Sequence, residues 1–145
     1  MSAGERLTEL VDEVFRLADA FTRAGDAIVA GDGLTASRWL TLGAVAHGPL
    51  SVAAIARRRG MRRQSAAEAV GQPEASGLVV RRPDPADARA PLVALTERGR
   101  EVLDGIRPRR RAWAEQTAAV AHARELEAAV LLARRLRERL DSPAP

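Results

Sequence analysis

Apolar residues near the start of the chain recur at steps of three and four: Leu7, Leu10, Val11, Val14, Leu17, Ala18 and Phe21. That spacing gathers them on one face of an amphipathic helix. Ser2-Ala3-Gly4-Glu5 ahead of it fits a capping box. Gly31-Asp32-Gly33 marks its end as a turn. Thr35 then caps a second helix carrying Trp39, Leu42 and Val45 toward one face, and His47-Gly48-Pro49 stops it. Ser51 caps a short third helix through Arg59 with Ile55 inward, and Gly60 is placed for a left-handed C-cap. A fourth helix starts near Arg62 and is punctuated by Gly77. Leu78-Val79-Val80 then begins a strand, Pro83 to Asp87 is a hairpin tip, and Leu92 to Leu95 returns as the second strand. Pro91 has no N–H and so favours an edge position. Thr96 caps a long fifth helix, which Pro108 should interrupt or kink. A last helix runs from about Ala123 to Leu140 with Leu132, Leu136 and Leu140 on one stripe, and Asp141 to Pro145 reads as a frayed tail.

Composition narrows the picture. A chain of 145 residues predicts a single domain. Its 46% hydrophobic content can fill a core, but only 3% is aromatic, so that core must be Leu, Val and Ala. A mostly α fold follows. The formal net charge is +4, and all 23 basic residues are arginine. GC-rich codon usage accounts for the missing lysine but not for the clustering. Arg57, Arg58, Arg59, Arg62 and Arg63 lie close together, as do Arg107, Arg109, Arg110 and Arg111. Such clusters are the footprint of phosphate binding, although a solvated helical face gives the same pattern.

The chain has no cysteine, which excludes disulfides, thiolate redox chemistry and Cys-ligated metals. His47 and His122 are too few and too far apart for a metal site. No cofactor is therefore expected. No nucleophile–base arrangement, Gly-rich phosphate loop or carboxylate pair appears, so the chain does not read as an enzyme. No leader-like start and no apolar run long enough to span a bilayer is evident, which predicts a cytoplasmic protein without membrane contact.

A helix pair with a turn, followed by a basic hairpin, is the sequence order of a winged helix-turn-helix. The residues that fill this order resemble the MarR family of bacterial transcription regulators. They are Leu34-Thr35 with Trp39 and Leu42, then Leu50-Ser51-Val52-Ala53-Ala54-Ile55-Ala56, then Arg63-Gln64-Ser65. Gly77-Leu78-Val79, Asp87-Ala88-Arg89 and Leu95-Thr96-Glu97-Arg98-Gly99 complete the set. The resemblance spans roughly Leu34 to Leu103, and the flanking helices match in arrangement only. It implies a mostly α single domain over 1–145. A winged helix-turn-helix with a two-stranded β wing would occupy 34–99, flanked by dimerisation helices at 1–33 and 100–140. The implied function is a ligand-responsive repressor that binds a pseudo-palindromic operator in double-stranded DNA as a homodimer.

The resemblance also assigns roles. The fourth helix would be the recognition helix, with Arg62, Arg63, Gln64 and Ser65 as the candidates for base edges, a backbone phosphate contact or none being the other reading of Ser65. Arg suits guanine and Gln suits adenine. Arg57 and Arg58 would meet phosphates or solvent, and Arg82 joins the DNA-binding set from the wing. Arg89 would enter a narrow minor groove. Asp87 would orient it by a charge-assisted hydrogen bond, unless the two form only an exposed ion pair of little worth. Trp39 and Trp113 would line a cleft for a small aromatic or anionic effector, plain core packing being the other reading. Two departures stand out. Pro73 replaces an apolar residue, commonly Leu, and predicts a short or kinked recognition helix; Ala88 stands where relatives carry another basic residue. These favour an alternative: a degenerate winged-helix dimer acting through protein partners without specific DNA binding.

Overall fold

In the computed structural model, which describes residues 1–142, local capping sets most helix boundaries. Helix α1 (Ala3–Val29) opens with the capping box. Ser2 Oγ accepts from the Glu5 N–H at 3.2 Å, and the Glu5 carboxylate accepts from the Ser2 N–H at 2.6 Å. It closes through a 3-10 turn, Ala30–Asp32, ended by Gly33 at φ 68°. Thr35 caps α2 (Ala36–Ala44), and Asp26 of α1 also accepts from the Ala36 N–H at 2.7 Å. Strand β1 (Leu50–Ser51) leads into α3 (Val52–Arg59), which Ser51 caps. Gly60 at φ 62° reverses the chain, letting the Met61 N–H reach the Ala56 carbonyl at 3.0 Å.

Helix α4 spans Arg63–Ala75 and runs through Pro73 for two further residues. The predicted shortening at Pro73 does not occur. Pro73 lies in the last turn, its ring is fully buried, and its carbonyl accepts from the Leu78 N–H at 2.8 Å. With Gly77 donating to Glu74 and holding φ 75°, the helix ends in a Schellman motif. A lost N–H here removes one ladder bond at an end that the following turn already secures.

Strands β2 (Val79–Asp84) and β3 (Asp87–Leu95) form the wing hairpin. The sheet has three antiparallel strands in the order β1-β3-β2, because Leu50 and Ser51 pair with Val93 and Leu92. A two-residue strand is too short to show alternation, so it was invisible in the sequence. Strand β3 also begins at Asp87 rather than Leu92. Pro91 therefore sits in the central strand, not at an edge. It is tolerated because β1 reaches only to Leu92 and the pairing with β2 slips between Arg82 and Asp84.

Helix α5 (Glu97–Ala118) passes Pro108 without interruption, and α6 spans Ala123–Asp141. The chain divides into two compact units, residues 1–108 and the part from Arg109 onward. The core of the first joins Val29, Leu34, Leu42, Val45, Ile55, Val70, Leu78, Val79, Val93 and Ile106. On α1, Leu7, Val11, Val14, Leu17 and Phe21 stay exposed, Val14 to 51%. In the second unit, Leu126, Val130, Leu131 and Leu132 on α6 are likewise exposed. Among the described residues no helix is long and apolar enough to cross a membrane. The predicted frayed tail lies, beyond Ser142, outside the described residues.

Candidate nucleic-acid interface

Helix α4 owes its orientation to four small or branched residues. Ala66, Ala69, Val70 and Pro73 are buried. With one side of the helix so fixed, the helical period puts Gln64, Glu68, Gly71 and Ala75 on the opposite ridge, and all four are exposed. Arg63 and Ser65 are exposed on the flanks of that ridge. The first turn of α4 carries no acidic residue, and Arg62 at the N-cap makes no side-chain cap bond. Its leading N–H groups have no acceptor inside the helix, so this end is electropositive.

A depression of about 90 Å³ opens where the wing meets the helices, lined by Ser51, Val52, Ala53, Arg63, Arg81, Arg89, Ala90 and Pro91. Three arginines from α4, β2 and β3 thus converge on the first turn of α3. Strand alternation explains the set: Arg89, Pro91 and Val93 share one face of β3, and Arg81 pairs with Val93 across the hairpin. Arg81 is steadied by Glu74 at 2.9 Å, both side chains being roughly two-fifths exposed. Arg82, one residue on, takes the other face. There it lines a second depression with the His47-Gly48-Pro49 turn and Arg100.

The remaining arginines separate into two groups. Arg57 and Arg62 are exposed. Arg58 donates to the Ala44 carbonyl at 2.9 Å, closing the end of α2. Arg59 turns inward, donating to the Ser37 carbonyl at 2.9 Å and to Thr41 Oγ1 at 2.8 Å. Burial lowers its pKa. At the wing tip, Asp87 accepts from the Arg89 backbone N–H at 2.9 Å, and Asp84 from that of Ala86 at 2.9 Å. The expected side-chain bond from Asp87 to the Arg89 guanidinium is absent. Asp87 shapes the turn that presents Arg89 rather than aiming its head. Ala88 is exposed beside it. Trp39 is half-buried and packs against the core of the first unit, and Trp113 is half-buried on α5.

Sequence reasoning missed Arg81 and Glu68. Their signals were available: alternation along β2 for the first, the burial period of α4 for the second. It also missed what Thr96 does. Thr96 Oγ1 donates to the Gly77 carbonyl at 2.6 Å and accepts from the Gly99 N–H at 3.0 Å, while its own N–H donates to the Leu78 carbonyl at 3.0 Å. A Cβ at Gly99 would collide with that Leu78 carbonyl. The head of α5 is therefore bonded to the end of α4.

A model of the MarR family matches residues 32–90. An uncharacterized protein of Mycobacterium tuberculosis is 36% identical over 105 residues, 72% of this chain and 73% of that one. The transcriptional activatory protein BadR of Rhodopseudomonas palustris is 33% identical over 115 residues, 75% of this chain and 65% of that one. Among solved structures, the transcriptional regulator BldR of Sulfolobus solfataricus superposes with a TM-score of 0.81 at 24% identity, covering 92% of this chain and 99% of that one. BpsR of Bordetella bronchiseptica, whose DNA binding is regulated by 6-hydroxynicotinic acid, gives a TM-score of 0.76 at 22% identity, covering 99% of each chain.

Proposed function

The chain belongs to the MarR family of transcription regulators, and on that premise we propose that it binds a pseudo-palindromic DNA operator as a homodimer and represses transcription in response to a small ligand. The observation that carries DNA binding is the convergence of Arg63, Arg81 and Arg89 on the first turn of α3. Arginines gathered beside a helix N-terminus suit a phosphate, Arg81 being held there by its ion pair with Glu74. Their position at the junction of recognition helix and wing suits the strand that separates a major from a minor groove. Helix α4 then lies in the major groove, and Arg89 reaches the minor groove from the wing. Arg57 and Arg62 meet flanking phosphates, as does Arg82 from the other face of the wing. Arg58 serves mainly to fasten α3 to α2.

The exposed apolar residues of α1 and those of α6 supply dimer surface. Two heads then read half-sites about one helical turn (~34 Å) apart. A small aromatic or anionic effector acts only by binding the two arrangements of the heads unequally. The regulation of BpsR by 6-hydroxynicotinic acid is the precedent. The alternative of a dimer that no longer reads DNA loses its main support, since α4 is unbroken at Pro73.

The test is a titration with genomic fragments at rising salt. Six to ten phosphate contacts predict an affinity loss of ~10³–10⁵-fold between 50 and 200 mM salt. Weak binding that ignores salt rejects the reading. A reporter carrying the selected operator then separates repression from the activation attributed to BadR.

A further inference from the structure

We infer that Glu68 selects a cytosine in each half-site, one helical turn along α4 from an adenine taken by Gln64. The inference rests on the DNA-binding reading above. Arg63, the obvious base reader in the sequence, lies on the flank of α4 that borders the depression shared with Arg81 and Arg89. The ridge opposite the buried side belongs instead to Gln64, Glu68, Gly71 and Ala75. Of these four, only Gln64 and Glu68 carry groups that can hydrogen-bond a base edge. Gly71 and Ala75 are short, and beyond the helix's own backbone and its two chain neighbours nothing lies within 4 Å of where a Gly71 Cβ would stand. Nothing on the helix screens Glu68.

Glu68 carries no side-chain hydrogen bond or ion pair among the described residues, unlike Glu74, whose carboxylate holds Arg81. It is the one acidic side chain on a ridge flanked by arginine. Near phosphates an unpaired carboxylate is repelled, so it weakens indiscriminate binding. The major groove offers a carboxylate two amino donors, cytosine N4 and adenine N6. Adenine sets its donor beside the N7 acceptor, which repels a carboxylate, so cytosine N4 is the better match for an acceptor-only side chain. Glu68 thus rewards one base pair and disfavours DNA that lacks it there, which is how specificity is built against wrong sites. Gln64, at i−4 on the same ridge, suits the paired donor and acceptor of adenine.

The experiment selects binding sites from a pool of random duplex DNA with the full chain, Glu68→Ala, Glu68→Gln and Gln64→Ala, each checked by a melting curve. The wild type should enrich a half-site with a C·G pair at one position, discriminated by roughly 5- to 150-fold. Glu68→Ala should lose the preference there and at no other position, while binding unselected DNA more tightly. Glu68→Gln should move the preference toward adenine. Gln64→Ala should relax a different position. If the wild type enriches a site and Glu68→Ala enriches the same one, the inference falls and the DNA-binding reading stands. If the wild type enriches no sequence, both fall.

Discussion

Two neighbouring arginines show how little residue type says about role. Arg59 and Arg63 lie four positions apart in one basic cluster, yet one is half-buried against α2 and the other is exposed. Arg59 ties α3 to α2 through Ser37 and Thr41, and Thr41 is itself buried. Arg59→Ala should therefore lower stability by roughly 1.5–3 kcal/mol in urea denaturation, the range for lost hydrogen bonds to a charged group. DNA affinity should hardly change. Arg63→Ala should do the reverse, with an unchanged unfolding midpoint and a weakened, less salt-sensitive complex. A variant pair showing the same loss in both assays would contradict this division. Gly99 obeys a different rule. Any Cβ there meets the Leu78 carbonyl, so Gly99→Ala should cost about 1–3 kcal/mol or more through displaced backbone.

At the scale of elements, α4 combines poor capping with good packing. Arg62 stands where Ser or Asp would satisfy a free N–H. Arg62→Ser should raise the melting temperature, by the equivalent of ~0.5–2 kcal/mol, and weaken DNA binding together. A variant that gains both would show that Arg62 makes no phosphate contact. Pro73→Leu tests the other end. The helix already extends past Pro73 and the ring is fully buried, so leucine has nothing to lengthen and too little room. The expected result is a lower melting temperature at unchanged affinity. The caps at Ser2, Thr35, Ser51 and Gly60 were legible in the sequence because each depends on neighbours within a few residues. The helical run through Pro73 was not, because it rests on a core and a following turn that no local pattern describes. The partners of Arg59 and Arg81 were hidden for the same reason, lying 18 or more residues away in α2 for Arg59 and across the Gly77 turn for Arg81.

For the molecule as a whole, α1 leaves a row of apolar residues exposed, the kind of face that a second copy of the chain covers. The protein should sediment as a dimer at micromolar concentration. Val14→Asp should shift it toward monomer and, by removing one head, abolish tight binding to the two-half-site operator while sparing weak binding to a single half-site. A dimer that survives Val14→Asp unchanged would place the interface elsewhere. The bonds of Thr96 to Gly77 and Leu78 then acquire a mechanical meaning. They form a joint between the head of α5 and the turn that closes α4, so a displacement of α5 pulls on the end of α4. A single residue inserted beside Gly77 would break this joint and leave the two helices to move separately.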